Sequence, residues 1–162
     1  MNYRVRLFRE SDAPKLAELT SSAIREIGAQ QYSAEQVQAW ASRHQAPSRF
    51  ADRVATGAIV FVAAMPDDEP AAYALLESDG HLDMLYCHPD HAGHGLAGRL
   101  LAAAQDHAIA SGCDRLFTEA SELARPAFER AGYAVQHRRD FTIEHEGRDV
   151  PIHNYAMEKR LR

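Results

Sequence analysis

Between Leu82 and Leu101 an apolar run stops at Pro89-Asp90, crosses Gly93 and Gly95, and passes into residues with helical spacing. This strand, loop and helix constrain the chain more than any other stretch. The two glycines carry no Cβ and take positive φ freely, so successive backbone N–H groups can turn inward and form a concave anion site. A helix starting at Leu96 would direct its positive end at the same point. A phosphate-bearing ligand is the reading this favours.

The rest of the chain alternates strand and helix patterns. Tyr3 to Phe8 has period two, as in a half-buried strand. Ser11 or Asp12 can cap a helix with Pro14 in its first turn, with Leu16, Leu19, Ala23 and Ile27 on one face up to Gly28. Ser33-Ala-Glu-Gln36 is a capping box before Val37, Trp40 and Ala41, and a short helical piece follows from Pro47 to Val54. Ala58 to Ala64 is continuous and β-branched, so it reads as a covered central strand. Ala71 to Glu77 and His81 to Cys87 are strand-length segments joined by Ser78-Asp-Gly80. Past the glycine loop, Leu96, Leu100, Leu101, Ala104 and Ala108 keep helical spacing until Ser111-Gly112. Arg115 to Thr118 reads as a strand, Glu122 to Ala131 as a helix capped by Ser121, and Tyr133 to Val135 as another strand. Phe141 to Ile143 and Val150 to Met157, around Glu146-Gly147, read as a closing hairpin. The sum is an α/β (α+β) fold: a central mixed, mostly antiparallel sheet of about seven strands flanked by helices.

With 162 residues, 46% of them hydrophobic, the chain can bury its own core, and residues 1–162 are expected to form one domain. The 18 Lys and Arg are spread along a chain of net charge −5, which argues against a nucleic-acid footprint and would tolerate a cationic substrate. Cys87 and Cys113 sit in apolar surroundings and read as the thiols of a cytoplasmic protein. The N-terminus has no apolar signal core, and no run approaches membrane-spanning length, so neither export nor a membrane partner is expected.

His88-Pro-Asp-His-Ala-Gly-His-Gly-Leu-Ala97, after its strand and before Gly98-Arg-Leu-Leu101, resembles the acetyl-coenzyme A loop of the GCN5-related N-acetyltransferase (GNAT) superfamily. Ala124 to Tyr133 resembles that superfamily's later helix with its glycine-aromatic ending, in the right order and spacing. Gln31 to Ala41 resembles the bacterial YafP-like branch. Nearly all of the chain follows the superfamily's element order. In the loop, Ala92 stands where the family has Gln or Arg, while Gly95 and Ala97 keep the other positions. The resemblance implies acetyl-coenzyme A as cosubstrate and no metal. Ala92, Gly93, His94, Gly95, Leu96, Ala97 and Gly98 would cradle the pyrophosphate. The backbone of Leu85, Tyr86 and Cys87 would pair with the pantetheine arm as with an added strand. The superfamily's splay would fall between Leu82 to Cys87 and Arg115 to Thr118.

The implied reaction moves an acetyl group to a primary amine of a small molecule or peptide by direct attack through a tetrahedral intermediate. An amine with a lysine-like pKa of about 10.4 must lose a proton first. Asp83, in phase with Leu85 and Cys87, is the first candidate base, and Glu119 the second; both also read as ordinary sheet-end carboxylates. A backbone N–H near Leu85 or Tyr86 would meet the oxyanion. The family's acid is a tyrosine four residues before the helix-ending glycine. Here that position is Phe128, which can only pack against the cofactor. Tyr133, Tyr86 or Tyr155 could supply the proton instead, or water could. Ser121 reads as a cap that could also bond pantetheine, and Trp40 and Tyr32 as core residues bordering an acceptor pocket.

His88, His91 and His94 recur every third residue, which raises a zinc site. A strand end and a glycine turn would have to aim all three rings at one centre, and His94 is better placed beside the phosphates. The competing functions are a non-catalytic coenzyme-A-binding module and a zinc-dependent hydrolase. A homodimer is compatible with the chain.

Overall fold

The computed structural model describes residues 2–162. The chain opens with β1 (Arg4–Leu7), followed by α1 (Ala13–Glu26), α2 (Ala34–Ser42) and α3 (Ser48–Ala55). The strands β2 (Ile59–Ala64), β3 (Pro70–Leu76) and β4 (Leu82–Cys87) then form an antiparallel meander with β1 at its outer edge. The helix α4 (Leu96–Ala110) leads to β5 (Arg115–Ala120), α5 (Arg125–Arg130), β6 (Ala134–His145) and β7 (Arg148–Arg160).

Among the described residues the seven strands make two sheets, ordered β1-β2-β3-β4 and β5-β7-β6. β3 is buried along its whole length because it is covered on both faces. Ala72, Ala74 and Leu76 pack with Leu100 and Ala104 of α4, while Tyr73 and Leu75 pack with Leu16 of α1 and Phe50 of α3. The α4 stripe of Leu96, Leu100, Leu101, Ala104 and Ala108 is buried as its spacing predicts. A third apolar cluster seats Val37 and Ala41 of α2 on Ile143, Val150 and Ile152 of the last hairpin.

Ser33 forms the expected capping box, its hydroxyl accepting from the Gln36 amide at 3.1 Å and Gln36 Oε1 accepting from the Ser33 amide at 2.9 Å. Glu146 and Gly147, at φ 52° and 75°, make the tight turn between β6 and β7, the double positive-φ geometry that matches the strands' twist.

Four expectations change. Tyr133 to Val135 and Phe141 to Ile143 are not separate strands: β6 runs unbroken through the polar stretch between them, an edge strand with water on both sides. Its partner β7 extends beyond Val150 to Met157 at both ends. α5 begins at Arg125 rather than Glu122, and Ser121 instead closes the preceding turn, its hydroxyl accepting from the Ala124 amide at 3.1 Å. Asp12 does not cap α1 with its side chain, because Arg6 and the Arg9 amide take both carboxylate oxygens.

Candidate active site

β4 and β5 are neighbours joined only at one end. His81 and Phe117 form a single parallel bridge, the Phe117 amide donates to Gly80 O at 3.1 Å, and Thr118 Oγ1 donates to Leu82 O at 2.7 Å. Gly80 permits this approach, since a Cβ there would stand 2.3 Å from the Arg115 carbonyl oxygen. Past Thr118 no strand register links the two, and they diverge. This gap lies where the family resemblance implies a splay.

Two cavities open from the divergence. One, of about 160 Å³, is largely apolar and runs beside Cys87, Ala97, Leu100 and Ala127. The other, of about 350 Å³, lies between α2, the α2–α3 connection and the last hairpin, and is lined by Asp83, Glu119, Phe128 and His153 among others. Trp40, Leu85, Tyr86, Ser121 and Ala124 line both, so the cavities meet across the splayed strands.

At the head of the apolar cavity the glycine loop has the conformation its sequence predicts. Gly93 and Gly95 stand at φ 82° and 73°, and Gly95 caps α4. No heavy atom would touch a Cβ built at either position, and Ala92, Gly93, His94, Gly95 and Gly98 are exposed, so the loop presents its backbone to solvent. Leu96 is buried and Ala97 half-buried beneath it. Exposed N–H groups and the N-terminal end of α4 give this loop the character of an anion site, with the apolar cavity below it.

β3 and β4 are out of register at one point: Leu75 faces Met84 and Leu76 faces Leu82, leaving Asp83 without an opposite residue. This bulge turns Asp83 out of the ladder toward the larger cavity. Asp83 Oδ2 forms an ion pair with Arg53 Nη1 at 2.9 Å, and Arg53 also reaches Glu77 at 3.3 Å. Across the splay, Glu119 Oε1 accepts from His81 Nε2 at 2.7 Å, while His81 Nδ1 bonds Glu77 at 2.6 Å. Burial alone would depress the His81 pKa, but the bonds to Glu119 and Glu77 outweigh it and hold the ring up at about 9. At neutral pH His81 is therefore a cation clamped between two carboxylates.

Three of the remaining candidates are placed differently from one another. Phe128 is buried, lines the larger cavity and offers no proton. Tyr133 is a core residue lining neither cavity; its ring meets Phe128 edge-on at 5.0 Å, and its hydroxyl is buried without a partner. Tyr86 lines both, and burial raises its hydroxyl well above the ordinary tyrosine range, so it stays protonated. Burial likewise pushes the Cys87 thiol up to about 11.

The loop histidines do not converge. His88 Nδ1 accepts from the Asp90 amide, His91 Nδ1 shares a 2.8 Å bond with the Tyr3 hydroxyl, and the His94 ring lies 5.6 Å from the Tyr3 ring. Among the described residues the group with the spacing for a metal is Glu77, His81 and Asp83, with ligand atoms within 4.8 Å. Arg53 already bridges its two carboxylates and both His81 nitrogens have carboxylate neighbours.

Sequence reasoning missed Arg53 and His81, which hold the two candidate bases, and a second cluster on the far wall. There Glu122 Oε2 accepts from His153 Nε2 at 2.6 Å and from the Tyr155 hydroxyl at 2.8 Å. The His153 bond, working against burial, draws the Glu122 carboxyl below its ordinary range. These groups come from distant segments at no fixed spacing. The one local signal was His81, two residues before Asp83.

The model of the family described as acetyltransferase (GNAT) domain matches residues 28–158. The chain is 27% identical over 132 residues to the uncharacterized N-acetyltransferase YafP of Escherichia coli K12, covering 82% of this chain and 81% of that one. It is 30% identical to a GCN5-related N-acetyltransferase structure from Rhodopseudomonas palustris, with a TM-score of 0.87 and coverage of 99% and 97%. The PaiA N-acetyltransferase of Thermoplasma acidophilum, in complex with coenzyme A, shares the fold at 15% identity, with a TM-score of 0.79 and 99% of each chain covered. No helix among the described residues is long and apolar enough to cross a membrane.

Proposed function

The chain belongs to the GNAT acetyltransferase family, and from that premise we propose that it moves the acetyl group of acetyl-coenzyme A to a primary amine of a small molecule or peptide. The observation that carries this reading is the splay between β4 and β5, with an apolar channel on one side and a charged cavity on the other, meeting at Leu85, Tyr86 and Ser121. Acetyl-coenzyme A supplies the activated acetyl group.

Each part of the site has a role in that transfer. The backbone of Ala92 to Gly98 holds the diphosphate, helped by the N-terminal end of α4. The edge of β4 at Leu85 to Cys87, left unpaired by β5, bonds the amide-bearing arm as a neighbouring strand would. The arm's sulfur end then lies where the two cavities meet. A backbone N–H near Leu85 or Tyr86 faces the developing oxyanion.

Asp83, aimed into the cavity by its bulge, takes the proton of the attacking amine, directly or through one water. Glu119 stands opposite as the second acceptor, its charge balanced by His81. As the new C–N bond forms and the C–S bond breaks, the departing thiolate takes its proton from solvent. Its ordinary pKa of about 8.5 permits this where Phe128 has none to give. Tyr133 lies outside this machinery, within the core.

The direct test measures release of free coenzyme A thiol from acetyl-coenzyme A across a panel of amines, with the acetylated product identified by mass. Amine-dependent release with a matching acetylated amine supports the reading. Tight binding of acetyl-coenzyme A with no release from any amine would leave a coenzyme-A-binding module in its place.

A further inference from the structure

Charged groups of both signs line the larger cavity. Its acidic groups already have cationic partners, Asp83 with Arg53 at 2.9 Å and Glu119 with His81 at 2.7 Å, and Glu77 shares both of those cations. His153 is matched in turn by Glu122 at 2.6 Å. Three guanidinium groups on the same walls, Arg43, Arg49 and Arg139, have no carboxylate partner among the described residues, although the chain as a whole is acidic.

Two of the three are held in place by neutral groups. Arg49 donates to the Arg43 carbonyl oxygen and stands 3.3 Å from His44 Nδ1. Arg139 donates to Asn154 Oδ1 at 3.0 Å and lies over the Phe141 ring at 5.2 Å. Burial, reinforced by Arg49, depresses the His44 pKa to about 4, so that ring adds no charge and remains an acceptor for Arg49. Elsewhere the half-buried guanidiniums Arg6 and Arg53 each take two carboxylates. Oriented, partly desolvated and unneutralised arginines are suited to a ligand oxyanion, since the fork geometry matches a carboxylate and is already fixed.

We infer that the acetyl acceptor is a small amine that also bears an oxyanion, a carboxylate or phosphonate, seated on Arg49, Arg139 and Arg43 with its amine turned toward Asp83 and Glu119. This rests on the acetyltransferase reading and names its substrate class. The cavity volume of about 350 Å³ suits a compact molecule. Trp40, Phe141, Ile143 and Ile152 give it an apolar wall, so amino acids with apolar or aromatic side chains fit best. The net charge of −5 tolerates a cationic amine, and these arginines add fixed anchors for an anion on the same molecule.

The test compares kcat/KM for phenylalanine and leucine with phenylalaninamide, leucinamide and phenethylamine, which keep the amine and lose the anion. Aminoalkylphosphonates of the same shape distinguish carboxylate from phosphonate as the anion. Anionic acceptors should exceed their neutral analogues by about tenfold or more. Arg49→Gln and Arg139→Gln should raise KM for the anionic acceptors and collapse that preference. Arg148→Gln, an exposed arginine paired with Glu35, should leave it intact. Neutral amines used as well as the acids, or a preference unchanged in both variants, would overturn the inference while leaving acetyl transfer standing. If no amine releases thiol, calorimetry of the same compounds on the coenzyme-A-saturated protein decides separately. Binding confined to the anionic compounds and lost in Arg49→Gln upholds the inference, whereas equal binding of the amides overturns it.

Discussion

His81 Nε2 and Glu119 Oε1 lie 2.7 Å apart and tie the two sheets together at the closed end of the splay, next to the only backbone bridge between them among the described residues. The folded pKa of His81, about 9, lies above the ordinary value of 6.5. Its stabilising contribution is therefore complete below pH 6.5 and lost as pH rises through 9. Chemical denaturation between pH 6 and 10 should show up to about 3 kcal/mol lost across that window in the wild type, and a nearly flat profile there in His81→Asn. A wild-type profile as flat as the variant's would remove the clamp.

Gly95 takes φ 73° with open space where a Cβ would project, so alanine there meets backbone strain alone. Gly95→Ala should lower stability by about 1 kcal/mol. Gly95→Glu should further set a carboxylate against the diphosphate and weaken coenzyme A binding by at least about tenfold. Isothermal calorimetry on both variants checks this, and wild-type affinity in Gly95→Glu would contradict the loop's assignment.

Asp83 is the proposed base, and its bulged position gives it a role no packing argument requires. Asp83→Asn should lower kcat by about a hundredfold, with KM for acetyl-coenzyme A within about twofold of wild type. Glu119→Gln should have the smaller effect on kcat. The reverse order would move the base across the splay.

The Tyr133 hydroxyl, which the sequence offers as a proton donor, is buried without a partner. Tyr133→Phe should leave kcat unchanged and raise stability by up to about 1 kcal/mol, because an unsatisfied buried hydroxyl is removed. Thermal denaturation and steady-state rates measure both, and a tenfold fall in kcat would return Tyr133 to the mechanism.

The parts of the fold that were readable in the sequence are those with local causes. The Ser33 to Gln36 box, the Glu146-Gly147 turn and the α4 stripe each depend on residues a few positions apart. The glycine loop belongs with them, since positive φ at Gly93 and Gly95 follows from residue type. The middle of β6 is not legible, because the stretch around Arg138 and Asp140 is largely exposed and no apolar alternation marks it. A serine before a helical pattern looks the same whether it caps the helix or, as Ser121 does, the turn before it, so the start of α5 is not legible.

Within the site, Asp83 and Glu119 could be picked out by their strands, but their partners could not. Arg53 comes from α3 and His81 from the hairpin before β4, and only the fold brings them together. The same holds for Arg49 and Arg139, which face one cavity from positions far apart in the chain.

A structure of the protein with coenzyme A bound decides whether the splay between β4 and β5 is the cosubstrate site. The diphosphate should lie on the backbone of Ala92 to Gly98, the arm should be hydrogen-bonded along Leu85 to Cys87, and the sulfur should sit beside Ser121 and Ala124, facing Asp83 and Glu119. Coenzyme A bound elsewhere, or a sulfur end sealed from the charged cavity by Tyr86 and Trp40, would contradict it.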